Sequence, residues 1–296
     1  MIGAAEVVPG VSGGTIALIV GIYRTLIDQA AHLVRAAVLL FREGPNASWQ
    51  QIRTAKWGIL IPVGIGMVTA VLVGAALIEP FVEEHPIPSR GLFFGLVLAG
   101  LYVPYSMVRE TEPGAWRPRD YALAAVGFVI AFIVTGVPPN EITDPSPVVI
   151  VLGAAVAVSA LVLPGLSGSF MLLAMGLYTA TLAAVNERDF AYLALFATGM
   201  VIGLASFVMV LQWLLDHRAR VTLVVLTGVM AGSLRAMWPW QTEDRQLLAP
   251  NEQIGAALAC FAIGFGLVVS LLAAEKRFRH RLSDEPSDPE HLRHEV

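Results

Sequence analysis

The sequence has few charged residues and almost no cysteine, and both shortages exclude whole classes of protein. Only 14% of its 296 residues are charged and 56% are hydrophobic, which is too apolar for a typical soluble domain. The single cysteine, Cys260, excludes disulfides and cysteine-based metal or redox sites within one chain. No basic arm indicates nucleic-acid binding, no residues are spaced as metal ligands, no cofactor is implied, and no signal peptide is evident.

Apolar runs, in contrast, are abundant, and they predict an all-α polytopic membrane protein. Six runs carry almost no charge and approach the length of about 20 residues at which a helix spans a bilayer: 58–78, 91–108, 121–137, 190–214, 221–238 and 254–274. Two more runs, 2–23 and 147–185, are each interrupted by a Pro-Gly sequence. Residues 24–42 place polar side chains at helical spacing, which predicts an amphipathic helix on the membrane surface.

Basic residues in the loops predict the orientation of the spans, because cytoplasmic loops carry an excess of Lys and Arg. Basic residues concentrate in segments that we predict to be cytoplasmic: 24–56, 109–119, 216–220 and 275–281. The segments between them are predicted to lie outside: 79–90, 138–147 and 241–252. This orientation requires the run 147–185 to cross the membrane either not at all, as a re-entrant hairpin broken at Pro164, or twice. Loop charge alone leaves both possibilities open.

The motif Pro-Gly-x-Ser-Gly occurs twice, and its spacing divides the chain into two similar halves. A shift of 155 residues aligns the two motifs and places Gly21 and Tyr23 on Gly176 and Tyr178, and a shift of 133 residues aligns the later spans. Each half then holds one re-entrant helical hairpin and three transmembrane helices. Because three is odd, the second half enters the membrane from the opposite side. We predict two inverted-topology repeats followed by a disordered cytoplasmic tail: 1–137 with the interfacial helix 24–42, 147–274, and 275–296.

The residues after each Pro-Gly break are candidates for binding an anion. Pro and Gly interrupt a helix, and the first N–H groups of the helix that follows have no intrahelical partner. Glycine lets a ligand approach these groups, and the helix dipole favours a negative charge such as phosphate. Two such N-termini that face one pocket predict a phosphate site: Ser12, Gly13, Gly14, Thr15, Ser167, Gly168 and Ser169. The alternative is that both motifs only kink helices for close packing.

Two charged residues near the motifs have open roles. Glu6 lies three residues before Pro9; if it is buried in the membrane, its raised pKa would let it carry a proton, and otherwise it lies among the headgroups. The arm before the first motif is short, and we expect about one to two further helical turns, each about 5.4 Å long, upstream of Met1. Arg235, near the outer end of its span, either receives a phosphate or extends to the membrane interface.

Three stretches of the sequence resemble a bacterial membrane family first catalogued as a domain of unknown function and now linked to polyprenyl-phosphate translocation. These are GAAEVVPGVSGGTIALIVGIY at 3–23, LPGLSGSFMLLAMGLY at 163–178 and GSLRAMWPW at 232–240. The resemblance implies a transporter, not an enzyme, in the cytoplasmic membrane of a bacterium. It implies that undecaprenyl phosphate returns from the outer to the inner leaflet for reuse in cell-envelope synthesis, with proton coupling. It also places Glu6, Arg235 and the hydroxyl and glycine residues given above in matching motifs.

Two other functions are compatible with parts of the pattern. Undecaprenyl pyrophosphate phosphatase also has inverted repeats and a Pro-Gly-x-Ser-Arg-Ser motif, but here Gly13 stands in place of the arginine and no Glu-x-x-x-Glu lies in a membrane segment. A transporter of a small inorganic anion would use the same helix N-termini, and the sequence separates it poorly from a lipid transporter.

Overall fold

Helices make up nearly all of the regular structure in the part of the chain that the computed structural model describes, which is residues 13–66, 69, 84–111, 115–138 and 141–283. The helices are α1 (Gly13–Ile19), α2 (Tyr23–Arg42), α3 (Pro45–Arg53), α4 (Trp57–Gly66), α5 (Pro86–Gly100), α6 (Tyr102–Thr111), α7 (Pro118–Val134), α8 (Pro147–Val162), α9 (Gly168–Ala174), α10 (Tyr178–Glu187), α11 (Phe190–His217), α12 (Ala219–Ser233) and α13 (Ile254–Ser283). A 3₁₀ segment, Leu234–Met237, extends α12.

Four helical segments of the described chain are long and apolar enough to cross a membrane. They are α5 together with α6, α11, α12 with its 3₁₀ extension, and α13. The described chain has a fifth such segment if α9 and α10, which are bent by 108° relative to each other, count as one span. The prediction of an all-α polytopic membrane protein is confirmed. The predicted span 58–78 is described only through α4 and residue 69, and the rest of it lies outside the described residues.

The two Gly-x-Tyr sequences have the same backbone geometry. Gly21 and Gly176 adopt φ values of 74° and 76°, in the left-handed region that favours glycine. The N–H of each glycine bonds to the carbonyl three residues earlier, and the N–H of the next residue bonds to the carbonyl five residues earlier. This pattern caps the end of a helix. The 155-residue shift found in the sequence therefore relates two equivalent helix ends.

Two parallel helix pairs pack with their backbones in close contact. A Cβ atom added to Gly95 of α5 would lie 2.3 Å from the carbonyl oxygen of Phe261 in α13, and one added to Gly232 of α12 would lie 2.2 Å from that of Phe128 in α7. Only glycine fits at such contacts, as is common between membrane helices. Phe128 and Phe261 are related by the 133-residue shift of the sequence. Under that shift Gly95 corresponds to Gly228, one helical turn before Gly232, so the two pairs pack in the same way but not through the same glycine.

A buried ion pair joins the N-terminal ends of α7 and α12. Arg220 donates from Nη2 and Nε to Oδ2 of Asp120, at 2.6 and 3.2 Å, and both side chains are buried. The same oxygen of Asp120 accepts a hydrogen bond from the backbone N–H of Arg117 at 2.9 Å, which caps α7. Because each charge has a partner, the pair can remain buried between the two helices.

Helix α1, which follows the first motif, lies in the core of the described structure. It packs against α2, α5, α6 and α8, and all its residues from Thr15 to Ile19 are buried. Leu18 and Ile19 belong to one apolar cluster with Val97 of α5 and Met230 of α12. Helices from both halves of the sequence thus surround α1.

Helix α2 has the bounds predicted for the amphipathic helix, within one residue. Its face toward the core buries Ile27, Ala31 and Ala36, whereas Phe41 is 88% exposed. Arg24 donates to Asp216 at 2.8 Å, which links the start of α2 to the end of α11. The location of α2 at the membrane surface remains a prediction.

Helix α13 continues to Ser283, past residue 275 where we predicted the tail to begin. Residues 284–296 lie outside the described residues. The division of the chain into two repeats remains a prediction, and so does the disorder of the tail.

Candidate functional site

The second motif lies at a break between two helices that pack against each other. Helix α8 ends at Val162 and α9 begins at Gly168, where an added Cβ would lie 2.8 Å from the carbonyl oxygen of Ala157. Between them, Gly165 adopts φ +90°, which side chains other than glycine rarely allow. Helix α9 therefore folds back on α8. That this hairpin is re-entrant in the membrane remains a prediction.

The helix that follows the first motif contacts the second motif, although the two are far apart in sequence. Thr15 in α1 is fully buried, and its Oγ1 accepts a hydrogen bond of 2.8 Å from the backbone N–H of Gly165. Tyr23, at the start of α2, donates its hydroxyl to the carbonyl of Val162 at 3.1 Å. Side chains of the first half thus form hydrogen bonds with the backbone between α8 and α9 and with the last residue of α8. These bonds satisfy polar backbone groups that the break frees from helical pairing.

The hydroxyl groups of the second motif lie at the N-terminus of α9. The Oγ atoms of Ser167 and Ser169 are 2.9 Å apart, and Ser167 is buried whereas Ser169 is half-buried. On the other side of the motif, a Cβ added to Gly165 would lie 2.7 Å from Oγ of Ser233. Ser233 ends α12, directly before the 3₁₀ segment that carries Arg235. The fold therefore brings the end of α12 to the second motif.

Arg235 lies on the end of α7 and makes only weak polar contacts. Its Cζ is 4.6 Å from the ring centre of Phe132, which is cation–π distance. Its Nη1 and Nη2 donate to the carbonyls of Phe132 and Arg245, both at 3.4 Å, which is long for a hydrogen bond. Its Nε is buried and has no hydrogen-bond partner among the described residues. The guanidinium therefore retains the capacity to bind an anion.

A second arginine, Arg245, lies over the second motif, and the sequence analysis did not identify it. Its Cζ is 3.9 Å from the ring centre of Phe170 in α9, and its Nη1 donates to the carbonyl of Val137 at 2.9 Å. Its side chain is buried at 7% exposure, and its φ is +60°. Burial lowers the pKa of Arg245, but an arginine remains protonated at physiological pH. The only available signal was a lone cation in the acidic loop 241–252.

The structure describes most of the predicted site residues, and it brings some of them together. Gly13 and Gly14 begin α1, Thr15 contacts the second motif, and Ser167, Gly168 and Ser169 begin α9. Arg235 is linked to the second motif through Ser233 and Arg245, not through a hydrogen bond to Ser167 or Ser169. Glu6 and Ser12 lie outside the described residues. Within the described ranges, no group of three or more His, Cys, Asp or Glu residues could hold a metal ion.

Comparison with known proteins gives a family and two relatives. The profile of a family described as undecaprenyl phosphate translocase-like matches residues 2–254. A polyprenyl-phosphate transporter of Vibrio cholerae serotype O1 (strain ATCC 39315 / El Tor Inaba N16961) is 37% identical over 254 residues, 85% of this chain and 80% of the relative. A polyprenyl-phosphate transporter of Staphylococcus aureus (strain NCTC 8325 / PS 47) is 30% identical over 252 residues, 80% of this chain and 83% of the relative. No solved structure matches the chain significantly.

Proposed function

This chain belongs to the undecaprenyl phosphate translocase-like family, and on that basis we propose that it transports polyprenyl phosphate across the membrane. Both relatives are named polyprenyl-phosphate transporters, and they cover most of the chain. Their names agree with the expectation of a transporter, not an enzyme. The family resemblance predicted from the motifs is confirmed.

The observation that best supports the proposal is the hydrogen bond between Thr15 and Gly165. It joins the two motif regions within a core to which both halves contribute. A polar break inside apolar helices is tolerated where it is covered by protein or lines a cavity, and transporters use such breaks for substrate sites. We assign the phosphate to the helix N-termini beside this contact: Ser12, Gly13, Gly14, Thr15, Ser167, Gly168 and Ser169.

The arrangement of the second hairpin supports a re-entrant form and inverted repeats. Helix α8 runs parallel to α11, because Gly199 faces Val151 and Gly203 faces Ala155. The chain therefore starts α8 and α11 at the same end. The seven residues of α9 are too few to cross a bilayer, which needs about 20. The segment from the start of α8 to the start of α11 therefore fits a re-entrant hairpin, which does not cross the membrane, better than two full crossings.

The charges support a direction of transport. In our predicted orientation, Arg235 and Arg245 lie at the outer end, and the tail after α13 is cytoplasmic. We propose that Arg235 receives the phosphate of the lipid from the outer leaflet of the bacterial cytoplasmic membrane. The phosphate then passes the contact between Thr15 and Gly165 and reaches the inner leaflet, where the lipid is reused in cell-envelope synthesis. Glu6, which precedes the first motif, is our candidate for proton coupling.

Reconstituted protein tests this proposal. We expect wild-type protein in liposomes to move labelled undecaprenyl phosphate between leaflets. Arg235→Ala should lower the initial rate of this movement about 10- to 100-fold, because a hydrogen bond to a charged group contributes about 1.5–3 kcal/mol. Arg24→Ala is the matched control, since Arg24 pairs with Asp216 at the opposite, exposed end of the molecule. Equal rates for the two variants, or flux of inorganic phosphate without lipid, would contradict the proposal.

A further inference from the structure

A groove of about 230 Å³ opens beside Arg235, between α5, α7 and the end of α12. Its walls are almost entirely apolar and largely aromatic, and the side chains that form most of them are Phe94, Phe128, Phe132, Trp238 and Leu247. The rings support one another: Phe94 meets Trp238 edge to face at 6.0 Å, and Phe128 stacks on Phe132 at 5.6 Å. The groove therefore has walls formed by packed aromatic side chains.

Arg235 is the charged residue of this groove, and the backbone of α7 holds it in place. A Cβ added to Gly136 would lie 2.1 Å from Cζ of Arg235, so the guanidinium fills the space that any larger residue would occupy. The ring of Phe132 supports the guanidinium from one side, and Nε of Arg235 has no hydrogen-bond partner in the described part of the chain. The result is an apolar channel with one fixed cation at its edge.

We propose that this groove binds the isoprene units next to the phosphate of polyprenyl phosphate, while Arg235 contacts the phosphate itself. The inference rests on the proposed function and adds a site for the hydrocarbon chain. The charge pattern fits such a lipid, which has one anionic head and a single apolar chain. The groove is open on one side and has room for only a short stretch of hydrocarbon, the part of the chain next to the phosphate. The rest of the chain stays in the bilayer.

Because the end of α12 contacts the second motif, the groove lies on the proposed path of the phosphate. Ala231 lines the groove two residues before Ser233, whose Oγ packs against Gly165. Arg235 follows two residues later on the same stretch of chain. A lipid held in the groove would therefore place its phosphate near the second motif without entry of the whole chain into the protein.

Short lipids test the groove directly. We would measure the binding of geranyl phosphate, geraniol and inorganic phosphate to the full-length protein by native mass spectrometry. Geranyl phosphate should bind at least tenfold more tightly than the other two, because it alone has both chain and phosphate. Ala231→Phe, which fills the groove, should lower its affinity at least tenfold. Leu247→Trp narrows the groove from an exposed loop position, so it gives the same test with little risk to folding.

Ile130→Phe is the matched control, because Ile130 lies on α7, is 57% exposed and does not line the groove. It should bind geranyl phosphate like the wild type. If both groove variants also bind and transport like the control, the groove assignment is wrong while the proposed function stands. If wild-type protein does not transport undecaprenyl phosphate at all, the proposed function is wrong. Equal competition by geraniol or by a phospholipid would show an ordinary lipid contact and overturn the inference.

Discussion

The helix pair α7–α12 has an arginine near each end, and the two are held in different ways. At the N-terminal end, Arg220 is buried and donates twice to the carboxylate of Asp120. Beyond the C-terminal end of α12, Arg235 lies on the ring of Phe132, and its hydrogen bonds go to backbone carbonyls. Arg245, close by, likewise lies on a ring and bonds to a carbonyl.

The difference separates a structural charge from a charge that is available to a ligand. A carboxylate neutralises Arg220, so this arginine has little to offer an incoming anion. Within the described residues, neither Arg235 nor Arg245 forms an ion pair with a carboxylate. Aromatic faces and carbonyls stabilise a cation without cancelling its charge. The end that carries these two arginines is therefore the end suited to attract a phosphate.

Breaking the ion pair should give the largest change in stability. Asp120→Ala leaves the charge of Arg220 buried without its carboxylate, and we expect a loss of about 3–5 kcal/mol in the free energy of unfolding. Thermal unfolding of the purified protein in detergent measures it. The double variant Asp120→Leu with Arg220→Met should recover most of the loss, because no buried charge remains. An unchanged melting temperature for Asp120→Ala would show that the pair is not structural.

At the opposite end, the backbone of the second motif should be the next most sensitive feature. Gly165→Ala forces a side chain into a φ of +90° and toward Ser233, and we expect a loss of about 2–4 kcal/mol from backbone strain and overpacking together. Gly44→Ala is the matched control, because Gly44 has φ +92° with open space around it. Gly44 has ψ 178°, a conformation that other residues avoid, so this variant should lose about 1–3 kcal/mol from backbone strain alone. Equal losses would mean that the contact with Ser233 is unimportant.

Removing the charge of Arg245 should have the smallest effect on stability. Arg245→Met keeps the length of the side chain but loses the cation–π contact with Phe170, which is worth about 0.5–2 kcal/mol, and the hydrogen bond to Val137. The variant also removes the cost of burying a charge, which offsets part of the loss. No buried carboxylate loses its partner, so the loss should be smaller than for Asp120→Ala. Thermal unfolding again measures it, with Arg245→Lys as the variant that keeps the charge. A loss as large as that of Asp120→Ala would contradict the distinction between the two ends.

The helices and their breaks were largely predictable, because they depend on local patterns. The apolar runs 91–108, 190–214, 221–238 and 254–274 became helices of span length, the polar spacing of 24–42 became α2, and both Gly-x-Tyr sequences became the same capped helix end. The Pro-Gly break at Pro164 also lies where it was expected. In an apolar environment, a segment must satisfy its backbone hydrogen bonds within itself, so its own sequence is sufficient to predict a helix.

The partners of the charged residues were not predictable in the same way. The contact between Arg245 and Phe170 joins a polar loop to a helix 75 residues earlier in the sequence. The pair of Asp120 with Arg220 joins the first turns of two helices that are 100 residues apart. Each of these arginines resembled an ordinary loop cation in the sequence. Only the packing of separate helices shows which carboxylate, ring or carbonyl lies beside it.

By itself, the sequence determined that this protein is a bundle of membrane helices with a break at the second Pro-Gly motif, and its motifs determined the family. Whether the helix after the first motif would meet the second motif was decided only by the tertiary structure, through the bond from Gly165 to Thr15. The same is true of which arginines remain without a carboxylate. The physical reason is distance along the chain: helix formation depends on neighbours a few residues away, whereas these contacts depend on how helices from both halves pack together.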